Sequence, residues 1–547
     1  MSTAVDTLYE TIEKYIRSFL ELNPDVGTAL GFHQYDSSVP VVSRETLRQL
    51  TELTKRTLEK LSSIDPKELP YSAQVDYRAF KMFLEDCLFW LVDFPCYRMV
   101  PALYIEKACA MLFRLLTIPY LPTEHRLIAL EKRIRNLDKV LLGALELIDE
   151  PYTLWTDIAL EMCSALPLLL SSAEKLAREH GYDISAPCSR ALNTIERFRR
   201  WLLDEVKPRA KPGFKPMGYE LFRKLLRIRG ISEEPEVLVK LGEEEIARLR
   251  TELEKIASSR GISVEKLVEE VKSRYVRERS KLLDTYSRAI SEAREFVLRH
   301  KIVDLPAGER VRVIETPEYL RPIIPFAAYI PPPLFSYVRE GLYLVTPPES
   351  EDLMKEHSWY SILNTSVHEA YPGHHTQFAW IQATPNIIRK FIAIASNVAT
   401  SFIEGWAHYC EELLLEHGFH SEPEYRTVVL VDALWRAARV VIDVKLSTGS
   451  MSFDEAVDML MRVAFMSREG AIREVKRYTI DQGYQLCYMY GKYRIKRLRE
   501  KVRKLLGSRF REDVFHRLLL EEGVLPVSLL EEVVMKKVEE LARGMSP

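Results

Sequence analysis

A proline-glycine pair set among histidines, His368-Glu369-Ala370-Tyr371-Pro372-Gly373-His374-His375, constrains this chain more than any other stretch. In helical zinc sites a His-Glu pair is followed by a second His four residues after the first, so that both imidazoles share a face and the Glu serves as base. Here position i+4 from His368 is Pro372, and the next histidines stand at i+6 and i+7. On an unbroken helix His375 would share the face of His368 but sit roughly 10 Å along the axis, at about 1.5 Å per residue. Ligand bonds of about 2.0–2.1 Å span that gap only with strain. Pro372 removes a helix hydrogen bond and clashes with the carbonyl of His368, while Gly373 opens dihedrals closed to other residues. A bulge at Pro372-Gly373 is therefore expected. Looped out, it leaves His368-Glu369-Ala370-Tyr371-His374, with His368 and His374 as zinc ligands and His375 as the alternative to His374. The plainer reading, in which Pro372-Gly373 ends a helix that the histidines merely cap, accounts less well for three His and one Glu in eight residues.

Such a site needs a further ligand. Within the apolar stretch Phe391–Leu415, Glu404, His408 and Glu411 share a helical stripe at i, i+4 and i+7, among Phe402, Ile403, Trp406 and Tyr409. A carboxylate buried there needs a partner, and a metal already held by two imidazoles supplies one, which makes Glu404 the third ligand. His408 is expected either to support the ligands or to donate to the transition state. Glu411 is placed to orient a ligand imidazole through its free ring N–H. Hydrolysis also requires a donor for the developing oxyanion and a cation for the substrate terminus. Tyr488 and Arg477 take these roles, with Tyr484 and Tyr490 in reserve as substrate contacts.

The rest of the chain reads as a helical frame. Its 547 residues and 47% hydrophobic content allow a large core. Apolar residues recur at three- and four-residue spacing in Leu8–Leu20, Leu47–Leu61, Val75–Val92 and Ala129–Ile148, punctuated by Pro66, Pro95, Pro101, Pro119, Pro122 and Pro151. Lys207–Gly218, with three prolines and two glycines, is the best candidate for a linker. Two long helices are expected after it, Glu236–Ser258 and Val264–His300, with Ser232 and Ser263 as N-caps. Short strands are predicted at Val311–Ile314 and Leu342–Val345, separated by a proline-dense run that includes Pro322, Pro325, Pro331, Pro332 and Pro333. Three consecutive regions result, 1–206, a linker with a helical pair over 207–301, and a metal-site region over 302–547, with one continuous two-lobed fold as the alternative. A net charge of -2 argues against a nucleic-acid footprint. Seven scattered cysteines without a C-x-x-C fit a reducing compartment. No apolar run reaches the roughly 18–20 residues of a membrane span, and no basic, apolar leader opens the chain, so a cytoplasmic protein is expected. A homodimer stays open.

The quoted histidine block with Gln377, then Phe402-Ile403-Glu404-Gly405-Trp406-Ala407-His408-Tyr409, then Arg477-Tyr478 and Tyr488-x-x-Gly491, resemble the signature blocks of the family called domain of unknown function 885. The block ahead of the late tyrosine departs from that family's usual Pro-Gly-Gln, reading Gln482-Gly483-Tyr484. The family is similar in architecture to helical zinc peptidases such as thermostable carboxypeptidase, angiotensin-converting enzyme and neurolysin. The resemblance implies a mainly α, zincin-like fold with a deep cleft and a small β-hairpin or sheet beside the metal-bearing helix. It also implies zinc on His368, His374 and Glu404, water activation by Glu369, and Tyr488 beside the tetrahedral intermediate. The expected activity is hydrolysis of short peptides, carboxypeptidase-like by that analogy alone. A zinc hydrolase of non-peptide amides or esters and a non-catalytic helical binding protein are the alternatives.

Overall fold

Capping and apolar spacing decide the first helix, and the same logic recurs throughout. Thr3 accepts from the Asp6 N–H and Asp6 accepts from the Thr3 N–H, closing a capping box on Ala4–Leu22. Leu8, Ile12, Tyr15, Ile16 and Phe19 then form the buried face of that helix. The computed structural model describes residues 3–117, 121–317, 321, 324, 326–348, 350 and 354–544. Pro119, Pro322 and Pro325 lie outside the described residues. Helix makes up 72% and strand 4%, a mainly α protein with one small sheet.

Apolar side chains gather into two buried clusters. One takes Phe89 to Val268 together with Leu430 to Tyr490. The other takes Leu8 to Leu84, most of Val271 to Val429, and Ile495 to Val538. The chain passes from one cluster to the other and back, so each cluster draws on segments far apart in sequence. The apolar stretch Thr153–Glu179 has the length and composition of a membrane span, contrary to expectation, yet half of it is buried inside the protein. It breaks into Thr153–Met162 and Ala165–Glu179, and Trp155, Leu166 and Leu169 enter the first cluster. All seven cysteines are free.

One expected helix breaks where tertiary pairing outweighs local propensity. Val264–His300 is instead Val264–Lys272 and Leu282–Arg299. Between them Tyr275 pairs with Ser358, and the Trp359 N–H donates to the Arg274 carbonyl, which anchors the start of the Trp359–Glu369 helix. The apolar stretch Phe391–Leu415 holds parts of two helices, Ile387–Ala395 and Thr400–Glu416, the second carrying Glu404, His408 and Glu411; between them Ser396 is extended and its hydroxyl donates to Asp86. Ser263 caps its helix as expected, whereas Ser232 does not. The Pro235–Ser259 helix begins after Glu234, with Pro235 in the first turn, where its missing N–H is harmless.

The sheet has strand order β1-β3-β2, with β1 at Arg310–Glu315, β2 at Ala327–Ile330 and β3 at Glu340–Val345. The two expected strands, β1 and β3, pair in parallel rather than as a hairpin, and β2 lies antiparallel to β3. β2 is four residues long and is followed at once by three prolines, too short to show a period of its own. Leu342 to Val345 of the central β3 are buried on both faces.

Candidate metal centre

The bulge forms where the sequence demands it. The Trp359–Glu369 helix ends at Ala370, the Tyr371-Pro372 peptide is cis, and a new helix, His374–Ala383, starts after Gly373. A Cβ on Gly373 would stand 1.9 Å from the His368 carbonyl oxygen, so no other residue fits without moving backbone. The Trp406 indole donates to the Pro372 carbonyl at 2.8 Å, pinning the bulge to the Thr400–Glu416 helix that carries Glu404.

This folding brings together one donor atom each from His368, His374 and Glu404, all within 4.8 Å of one another. The Glu404 Oε2 lies 3.4 Å from His374 Nε2 and 4.0 Å from His368 Nε2. Tetrahedral zinc with bonds of about 2.0–2.1 Å sets its ligand atoms roughly 3.4 Å apart. Of the three edges one already matches, a second closes by about half an ångström, and the third, between the two imidazoles, lies within 4.8 Å. The Glu404 Oε2 is buried and has no hydrogen-bond donor among the described residues, an orphaned oxygen that a cation would satisfy. The donor set therefore fits zinc.

The surroundings hold these groups in place. Glu411, fully buried, faces His368 Nδ1 at 2.7 Å, which leaves Nε2 for the metal. Burial would raise the Glu411 carboxyl, but the Arg436 charge, His408 and the His368 N–H hold it well below the usual range. Asn364 donates to the same carboxylate at 3.2 Å. Burial likewise opposes ionisation of Glu404, yet His374, His368 and the Tyr484 hydroxyl bring it down to about 2. Glu369, in the last turn of its helix and half-buried, accepts from the Tyr329 N–H of β2 at 3.2 Å.

Two glycines let the late tyrosines approach. A Cβ on Gly405 would lie 2.5 Å from Gly491 Cα, so the Thr400–Glu416 and Cys487–Leu506 helices cross backbone to backbone. Asp443 accepts from the Gly483 and Leu486 N–H groups and shapes the turn between them, with Gly483 at φ +81. Tyr484 then donates to Glu404 at 2.5 Å, and the Tyr488 ring stacks on His368 with centroids 6.3 Å apart.

Not every expected residue converges. His375 turns away from the trio to Glu309, with 2.7 Å between Nε2 and Oε2, whereas His374 joins it. His408 stands behind the ligands, 3.4 Å from Glu411, and burial, with Lys492 nearby, lowers it to about 3. The Tyr490 hydroxyl is engaged elsewhere, donating to Glu233 at 2.6 Å and accepting from Arg494. Arg477 pairs with Glu474 and keeps 43% of its side chain exposed. Arg439, absent from the sequence reading, lies 4.7 Å over the Tyr488 ring and donates to Tyr478 at 2.9 Å. A single arginine inside the apolar run Ala437 to Val444 was the signal for it. Glu309, Tyr329 and Asn364 were also missed, and nothing local in the sequence marks them.

Among curated proteins, none matches the chain. Two solved structures share its fold over nearly the whole length. One is described as a "putative lipoprotein of unknown function" from Shewanella oneidensis, with TM-score 0.77 and 20% identity, covering 98% of this chain and 100% of the other. The other, described as a "putative lipoprotein", comes from Colwellia psychrerythraea, with TM-score 0.82 and 17% identity, covering 99% of this chain and 100% of the other. Lipoproteins are held at a membrane or outside the cytoplasm, so the cytoplasmic expectation is overturned and withdrawn. Free thiols and the character of the first ten residues were too little to fix a compartment. A family model, "Bacterial protein of unknown function (DUF885)", matches residues 24–534, and the chain belongs to that family.

Proposed function

We propose that this chain is a zinc-dependent peptidase acting on short peptides, carboxypeptidase-like, in a zincin-like fold with its cleft at the sheet edge. The observation that carries the reading is the buried trio His368, His374 and Glu404 with Glu369 directly beside a ligand. A zinc ion held there would acidify a water and polarise a carbonyl. Glu369, adjacent in sequence to His368 and tethered to β2, accepts the proton of the attacking water and returns it to the leaving amine. Tyr488, stacked on His368, donates to the developing oxyanion, and burial together with the Glu404 charge raises its pKa so that it keeps its proton. Arg477, the more exposed of the nearby cations, is the anchor for a substrate carboxylate, with Tyr484 lining the approach. β2 lies at the edge of the sheet, which supports main-chain pairing with an extended peptide. The test is hydrolysis of a mixed peptide library by zinc-loaded protein beside Glu369→Gln. Cleavage from the carboxyl end, lost in the variant, is expected. No peptide cleavage, with hydrolysis only of simple amides or esters, would overturn the peptidase assignment.

A further inference from the structure

The second histidine of the pair, His375, is buried, is not a ligand, and ends in a closed polar chain. Its Nε2 lies 2.7 Å from Glu309 Oε2, and its Nδ1 lies 3.0 Å from the Tyr329 hydroxyl. Glu309 also accepts from the Tyr371 hydroxyl at 2.5 Å and from Arg294 at 2.9 Å. An ionised carboxylate only accepts, so His375 Nε2 carries the proton and Nδ1 receives the Tyr329 O–H. The phenol reaches His375 by crossing β3 where there is no side chain: a Cβ on Gly341 would stand 2.5 Å from the Tyr329 ring. Every link is therefore paired, and Gly341 leaves a slot for the ring.

The two ends of this chain meet the candidate centre. Tyr371 belongs to the bulge that sets His374 after His368, and the Tyr329 N–H is the donor that holds Glu369. We propose that His375 is a positioning residue which, with Glu309, locks Tyr329 and hence the β2 edge and the Glu369 carboxylate in their working orientation. The proposal rests on the peptidase reading for its effect on rate, but the locking of β2 is a property of the protein without metal. A phenol that merely packed against the sheet would need neither the imidazole nor the carboxylate behind it.

The experiment compares wild type with His375→Ala, His375→Gln, Tyr329→Phe and the His375→Ala/Tyr329→Phe double variant. Hydrogen exchange over residues 326–331 in metal-free protein reads the lock directly. His375→Ala and Tyr329→Phe should each exchange faster there, the double variant no faster than either, and His375→Gln should recover part of the protection. In zinc-loaded protein, kcat should fall about 10- to 100-fold with little change in KM and with zinc content kept. Unchanged exchange in β2, loss of zinc in His375→Ala, or equal loss in His375→Gln and His375→Ala would overturn the proposal. A wild type that holds no zinc, yet shows the exchange pattern, would instead overturn the peptidase reading and leave the lock standing.

Discussion

Gly491→Ala should loosen the crossing on which the late tyrosines depend. The added Cβ would stand 1.7 Å from the Ser401 carbonyl oxygen and 2.7 Å from Gly405 Cα. Restoring an ordinary contact of about 3.5 Å requires the helices to part by about 1.8 Å. Alanine gains about 1 kcal/mol over glycine in a helix interior. Overpacking costs about 1–3 kcal/mol even where side chains can yield, and a backbone carbonyl cannot rotate away. Crowding therefore wins, with a net loss of about 2 kcal/mol. Whichever helix gives, either Glu404 leaves its imidazoles or Tyr488 leaves the His368 ring, and metal sites tolerate only about 0.2 Å. The assay is the denaturant midpoint beside zinc content and rate, with Gly470→Ala as control, where the Cβ meets only Ser467 Oγ at 3.2 Å. A Gly491→Ala protein as stable as wild type, with rate intact, would refute the argument.

Three further outcomes follow from the same geometry. Glu411→Gln keeps the shape behind His368 but removes the charge, and should weaken zinc binding about 10- to 100-fold in a chelator competition while leaving the helical circular dichroism unchanged. Glu309 is buried, and although burial would raise it, His375, Tyr371 and Arg294 hold it at about 2 against an ordinary 4.5. Its folded pKa is depressed, so its contribution of about 3 kcal/mol is present above about pH 4.5 and is lost as pH falls towards 2. Thermal melts should show that loss, and Glu309→Gln should flatten the dependence. Tyr490→Phe should leave peptide hydrolysis unchanged, because that hydroxyl is engaged by Glu233 and Arg494.

What the chain disclosed in advance was local. Pro372 and Gly373 forced a bulge because one removes a hydrogen bond and the other alone fits against the His368 carbonyl. Glu404 and Glu411 declared themselves by sitting on one stripe of an apolar helix, and the structure sets them on either side of His368. The turn of His375 was not legible, since its partner Glu309 is 66 residues away and carries no local pattern. The break at Ser273–Lys281 was equally hidden: the charge and apolar spacing there continue a helix, and the contacts that replace it, Tyr275 with Ser358 and the Trp359 N–H with the Arg274 carbonyl, come from a distant segment. β2 was lost to its brevity, although its Tyr329 N–H is the group that reaches Glu369.

The most direct test of the central claim is elemental mass spectrometry of purified protein, reconstituted with zinc, beside single alanine variants of His368, His374, His375 and Glu404. About one zinc per chain is expected in wild type and in His375→Ala, and little in the other three. A wild type that takes up no zinc, or a site lost with His375 and kept with His374, would contradict the account.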